Sequence, residues 1–167
     1  MIRAIFFDLG DTLISEEAAG TKHLPETTLI KLPYLDEVLT ELERKGFKLG
    51  VITNTVTSRE EHVRMALRKI GIEKYFNLVL TSVDVEHKKP DERIFTTALR
   101  RLRVKPSEAV MVGNQISTDI VGGNRVGMKT VLIRWNKRYN ERITLPEEQP
   151  TRIIRSLREL PLVIEEI

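Results

Sequence analysis

The chain has 167 residues, 41% of them hydrophobic and 31% charged, with 9 Gly, 7 Pro and no Cys. That apolar fraction excludes a disordered chain, and the length suffices to bury roughly 70% of the surface an unfolded chain exposes. Without Cys there is no disulfide framework, thiolate zinc site or cysteine nucleophile.

No run approaches the roughly 20 apolar residues a membrane span needs, so no membrane partner is expected. The opening MIRAIFFDLGDT meets two aspartates and offers no small-residue cleavage site, unlike a signal peptide. The expectation is a cytoplasmic domain. Lys and Arg number 27 against 24 acids, a formal charge of +3, and the signs interleave. ELERKGFK and SREEHVRMALRK read as solvated helix faces with opposite charges three or four apart.

In chain order, Ala4-Ile5-Phe6-Phe7 is a continuous apolar run closed by the turn-like Asp8-Leu9-Gly10-Asp11. Residues 15–30 carry little pattern and read as a loop or short flap. Leu35, Val38, Leu39 and Leu42 recur at helix spacing, with Gly46 as a stop. Phe47 to Ile52 is a second run. Ser58 with Glu61 predicts a capping box, opening a helix through Val63, Leu67 and Ile70 to Gly71. Leu78 to Leu80 is the third run. Asp91 is placed to cap a helix whose buried stripe is Ile94, Phe95, Ala98, Leu99 and Leu102. Ala109 to Val112 follows, then a short helix after Ser117 ending by Gly127, then the run Thr130 to Ile133, and a terminal helix over Ser156 to Ile164. Continuous runs bounded by Gly, Asn or Asp suggest strands buried on both faces. Their alternation with helices predicts a Rossmann-like three-layer α/β sandwich, with a mainly parallel sheet of about five strands, as one domain over residues 1–167.

Parallel α/β folds place ligands beyond the carboxyl ends of their strands, so the residues just after each run matter most. They are Asp8-Leu9-Gly10-Asp11-Thr12, then Thr53-Asn54-Thr55, then His87-Lys88-Lys89-Pro90, then Gly113-Asn114-Gln115-Ile116-Ser117-Thr118-Asp119. Alone, each has a plain reading: Asp8 a turn residue, Thr53 a cap, Lys89 a solvated lysine, Gly113-Asn114 a turn, Asp119 a surface acid. Together and in order they supply a carboxylate, a hydroxyl, an ammonium, and an amide with a second carboxylate. Phosphoryl transfer needs such a set as nucleophile, hydrogen-bond donor, charge clamp and metal ligands.

The sequence is similar to the haloacid dehalogenase superfamily of aspartate-nucleophile hydrolases. The resemblance lies in Ile5 to Leu13, in Leu49 to Asn54, in Lys89 to Phe95, and in Val110 to Asp119 continuing to Val131. It implies Asp8 as the nucleophile that forms an aspartyl-phosphate and also ligates Mg²⁺. It implies Thr53, Asn54 and Lys89 around the phosphoryl group, Lys89 neutralising charge. The Gly10 backbone carbonyl, Asn114 and Asp119 would complete the Mg²⁺ site, whose oxygen donors suit that ion.

Two positions depart from the family pattern. Phosphatases of the family carry a general acid two residues after the nucleophile, where this chain has Gly10; the nearest acid is Asp11, one place later. Glycine can lend a carbonyl to a metal and cannot donate a proton. Asn114 stands where the fourth motif begins with aspartate, which removes one negative charge from the metal site. The expectation is a phosphatase of reduced or specialised activity. A metal-free dehalogenase or a non-catalytic binding module on the same fold are the alternatives.

Neither the interval from Asp8 to Thr53 nor that from Thr53 to Lys89 is long enough for the lid domain that many family members insert there. Lidless members act on large phosphorylated substrates or borrow a neighbouring subunit, so a homo-oligomer is one expectation. The basic and aromatic stretch 134–142 (RWNKRYNER) reads as a solvated edge with one packed Trp rather than a nucleic-acid surface. His23, His62 and His87 lack metal-ligand spacing. His62 reads as surface, and His87 lies near Lys89.

Overall fold

The chain's first apolar run becomes the centre of a sheet. A computed structural model describes residues 1–16, 28–138 and 142–167. In it β1 (Ala4–Phe7) pairs in parallel with β2 (Lys48–Thr53) on one side and β4 (Ala109–Gly113) on the other. Beyond β2 lies β3 (Leu78–Thr81), and beyond β4 lies β5 (Lys129–Ile133). All four residues of β1 are buried, because successive side chains enter opposite layers. Ile5 and Phe7 join one core with Leu49, Val51, Val110 and Val112. Ala4 and Phe6 join the other with Ile52, Leu80 and Met111.

Helices cover both faces, giving the expected three layers. On the Phe7 side lie α1 (Leu35–Arg44), α2 (Glu60–Lys69) and the terminal α6 (Leu160–Glu166). On the Phe6 side lies α4 (Glu92–Leu102), which buries Ile94, Phe95, Ala98, Leu99 and Leu102 as its periodicity requires. Asp91 caps it, its carboxylate accepting from the Arg93 N–H at 2.9 Å. Two short helices, α3 (Ser82–Val85) and α5 (Val121–Arg125), follow β3 and the loop after β4.

The sheet has six strands rather than about five, in the order β3-β2-β1-β4-β5-β6. The sixth, β6 (Arg152–Ile154), is three residues long at the edge, with only Ile154 buried. An edge strand that short presents no continuous apolar run. Its position comes from pairing with β5 and from Thr130 and Thr151, whose hydroxyls each accept the other's backbone N–H, at 3.3 and 3.1 Å. The start of α2 also differs from the expected Ser58–Glu61 box. His62 Nδ1 accepts the Arg59 N–H at 3.0 Å, and Asp84 accepts the Glu60 N–H at 2.7 Å. The terminal helix arrives in two parts, a 3₁₀ turn at Leu157–Glu159 capped by Ser156, then α6. Among the described residues no helix is long and apolar enough to cross a membrane.

Because Ile154 is fully buried against the Phe7-side core, Ile154→Ala is expected to cost about 2–5 kcal/mol in urea unfolding. An unchanged midpoint would mean that β6 adds nothing to the fold.

Candidate active site

From β1 the sheet grows toward β2 on one side and toward β4 on the other, so strand order reverses at the carboxyl end of β1. The chain places Asp8 after β1, Thr53 at the end of β2 and Asn114 after β4, all buried. Lys89 arrives on the loop between α3 and α4. A cavity of about 130 Å³ opens there, lined by Asp8, Gly10, Glu16, Thr53, Asn54, Lys89, Gln115 and Thr118.

Lys89 is the pivot. Its Nζ lies 2.7 Å from Asp8 Oδ1 and 2.7 Å from Asp119 Oδ1, with 4% of the residue exposed. Asn54 grips the lysine's backbone from both sides, donating to its carbonyl at 3.0 Å and accepting its N–H at 2.8 Å. The Asn54 side chain therefore positions Lys89. Asp119 reaches the cluster through a π-helical turn over Ile116–Ile120, and its Oδ2 accepts the Gln115 N–H at 3.1 Å. Position 113 must be glycine for this approach, since a Cβ there would fall 2.2 Å from Asp119 Oδ2.

Burial disfavours charge on both partners, and their mutual attraction opposes it. Burial pushes the Asp119 carboxyl up, Lys89 draws it down and Asp8 pushes it up again, leaving it at about 6. For Lys89, burial pulls downward, but the Asp119 and Asp8 carboxylates overcome it and hold the ammonium above its ordinary range.

The oxygen atoms beside this triad fit a small hard cation. With its amide nitrogen turned inward, Asn114 would donate to Asp8 Oδ2 at 3.1 Å and to the Gly10 carbonyl at 3.3 Å. With its oxygen inward, Asn114 accepts from the Thr12 hydroxyl at 3.5 Å and three oxygens face one another, an arrangement that a cation among them would favour. Asp8, the Gly10 carbonyl and Asn114 are thus brought together at hydrogen-bond distance of one another's polar atoms. Asp119, also expected as a ligand, has one oxygen on Lys89 and the other on the Gln115 N–H. Among the described residues no three His, Asp or Glu side chains converge on a metal position.

Asp11, the acid nearest to position 10, turns away from the cavity. It is fully buried with φ 51°, and its Oδ1 accepts the Glu16 N–H at 2.8 Å. Trp135 from the stretch after β5 donates its indole N–H to the Asp11 carbonyl at 2.8 Å. The aromatic residue of that stretch therefore braces the site's first turn. His87 stands 3.9 Å from Asp91 and does not line the cavity. His23, with residues 17–27 of the proposed flap and 139–141 of the basic stretch, lies outside the described residues. Three lining residues, Glu16, Gln115 and Thr118, have no assigned role in the motif pattern. The last two sit inside the quoted fourth motif, whereas Glu16 sits in the unpatterned segment and carried no local signal.

Residues 15–133 match the model of the haloacid dehalogenase-like hydrolases. The chain belongs to that family. It is 39% identical over 114 residues to the glyceraldehyde 3-phosphate phosphatase of Methanothermobacter thermautotrophicus, covering 68% of this chain and 49% of that protein. It is 39% identical over 124 residues to the ribulose-1,5-bisphosphate 5-phosphatase of Halopiger xanaduensis, covering 74% and 49%. The chain thus spans about half the length of these relatives. Among solved structures, a haloacid dehalogenase-type phosphatase from Thermococcus onnurineus superposes with TM-score 0.78 at 26% identity over 98% of both chains. A magnesium-bound hydrolase of the superfamily from Bacillus subtilis shares the fold, with TM-score 0.79 at 18% identity over 98% of both.

Removing the bridging cation from this family member would leave two carboxylates facing each other without compensation. Lys89→Met is expected to lose about 3–5 kcal/mol of stability at pH 7 in EDTA, measured by denaturant unfolding. An acid whose folded pKa is raised binds its proton more readily folded than unfolded. Lys89 draws Asp119 down to about 6, so without the lysine that carboxyl takes up its proton at higher pH, and the deficit should shrink as pH falls toward about 6 and then level off. A deficit that grew on acidification would contradict this electrostatic reading.

Proposed function

We propose that the chain is a Mg²⁺-dependent phosphomonoester hydrolase that works through a phosphorylated Asp8. The observation that carries the reading is Lys89, buried between Asp8 and Asp119 at 2.7 Å from each. A buried ammonium beside a carboxylate is poorly used as mere scaffolding, since apolar residues would pack there at no electrostatic cost. Beside a phosphoryl group it neutralises charge on the nucleophile and on the incoming oxygens.

In this reading an Asp8 carboxylate oxygen attacks phosphorus and the ester oxygen leaves with the bonding pair. Water then attacks the phosphorus of the intermediate and frees Asp8 and inorganic phosphate. Thr53, at the cavity wall, donates its hydroxyl to a phosphoryl oxygen. Asn54 and Asp119 keep Lys89 in line, from its backbone and its ammonium respectively. Asp8, the Gly10 carbonyl and Asn114 would hold Mg²⁺, which supplies charge neutralisation at the phosphoryl oxygens. The amide at position 114 lowers the negative charge of that donor set, and weaker Mg²⁺ binding follows.

A cavity of about 130 Å³ is smaller than the roughly 300–1,000 Å³ of ordinary small-molecule sites. It suits a phosphoryl group, with the rest of the substrate outside. Between Thr53 and Lys89 the chain holds only α2, β3, α3 and their connections, which supports a core without an inserted lid. A large phosphorylated substrate, or a second subunit over the site, then covers the phosphoryl group. The names of the curated relatives support a phosphate ester as substrate.

Hydrolysis of p-nitrophenyl phosphate with Mg²⁺ or EDTA, in wild type and Asp8→Asn, tests the proposal. Metal-dependent turnover that falls about 10⁴-fold or more in the variant is expected, the scale found when a nucleophile is removed. Turnover that survives Asp8→Asn, or is indifferent to EDTA, would overturn it.

A further inference from the structure

We propose that Gln115 and Thr118 are the specificity-determining residues of this site, and that they recognise a hydroxyl on the alcohol that leaves with the ester oxygen. The inference rests on the cavity being the place where the phosphoryl group is held.

That cavity has a charged floor and a neutral stretch of wall. Asp8, Thr53 and Lys89 are buried, so a phosphoryl group facing Asp8 sits among them. Gln115 and Thr118 line the same cavity but are only half-buried, which places them nearer its mouth. A volume of about 130 Å³ leaves room for little beyond the phosphoryl group, so the alcohol of a bound ester must run out past the mouth. Of the other wall groups, Asn54 is spent on the Lys89 backbone, and Glu16 is paired with Arg138.

The local fold offers these two side chains to the site and commits neither. Ile116 and Ile120, four residues apart, are buried with Leu132, so the other side of the π-helical turn is left to face the cavity. The Gln115 carbonyl accepts the Asp119 N–H at 3.0 Å and the Ile120 N–H at 3.4 Å, while its own N–H goes to Asp119 Oδ2. The backbone at Gln115 is thus fixed on both sides. Among the described residues, neither the Gln115 nor the Thr118 side chain has a hydrogen-bond or ion-pair partner within the protein. Turns of this wide form recur at functional sites.

The chemistry of the pair names what it fits. A carboxamide and a hydroxyl can each donate and accept, and neither carries charge. They match an alcohol hydroxyl, which also does both. A second phosphate or a carboxylate would call for a cation, and Lys89, the ammonium of this wall, is held by Asp8 and Asp119. The substrate class is therefore a phosphate monoester of a polyol, with a hydroxyl on the carbon next to the esterified one. An analogue lacking that hydroxyl leaves the wall groups without their partner, and this difference discriminates between the two.

Isothermal titration calorimetry with Mg²⁺ on the Asp8→Asn protein, which consumes no ester in this scheme, tests the assignment. The probes are inorganic phosphate, glycerol 1-phosphate and propyl phosphate. Glycerol 1-phosphate should bind about 5–50-fold more tightly than propyl phosphate, the scale of two neutral hydrogen bonds. Adding Gln115→Leu or Thr118→Val should weaken glycerol 1-phosphate about 2–10-fold each, with inorganic phosphate and propyl phosphate unchanged within about twofold. Together the two substitutions should bring the esters level, and Thr118→Ser, which keeps the hydroxyl, should retain the preference. Equal binding of the two esters before these substitutions, or an equal loss for all the probes after them, would overturn the assignment. A Thr118→Ser protein that behaves like Thr118→Val would also overturn it. Failure of inorganic phosphate and both esters to bind at all would instead overturn the phosphoryl site on which it rests.

Discussion

The ion-pair triad at Lys89 sets the terms for everything around it. An ammonium taken out of water is tolerated only where opposite charge stands at contact distance, and Asp8 and Asp119 both do. To bring them there, the fold uses three separate strand ends and a loop. Asp8 must follow the central strand, Asp119 must fold back under it through a π-helical turn, and Lys89 must be gripped by Asn54. A sheet whose order reverses at β1 is the framework that lets these ends meet. Stability and chemistry are therefore hard to separate here. Lys89, whose ammonium Asp8 and Asp119 support, lines the cavity together with Asp8.

The acid of the first motif lies at position 11, and there it has a structural task. Moving the aspartate from position 10 to 11 changes its task. Asp11 is buried, turned from the cavity, and spent on the Glu16 N–H and on Arg138. It anchors the turn that lays Glu16 against Gly10. Trp135, donating to the Asp11 carbonyl, ties that turn to the stretch after β5. Gly10, Asp11, Glu16, Trp135 and Arg138 are thus tied to one another along this side of the site.

Most of the framework was legible in the sequence because burial on both faces leaves an unmistakable mark. The runs at Ala4, Leu49, Leu78, Ala109 and Thr130 are continuous because each strand lies between two helical layers. β6 was illegible for the opposite reason: at the edge, two of its three residues face water. The triad was legible because Asp8 follows a strand, Lys89 opens a Lys-Pro step and Asp119 lies within the fourth motif. The cap of α2 was misread, since Asp84 supplies it from a different segment. Glu16 escaped for the same physical reason. Its position depends on Gly10, Asp11 and Arg138, and no local periodicity registers a partnership across that span of chain.

The most direct test of the whole scheme is to stop p-nitrophenyl phosphate turnover with acid, digest the protein and locate any added phosphoryl group by mass spectrometry. The scheme requires it on the peptide bearing Asp8, in the wild type with Mg²⁺, and absent from Asp8→Asn. A phosphoryl group on another residue, or turnover with none on the Asp8 peptide, would contradict it.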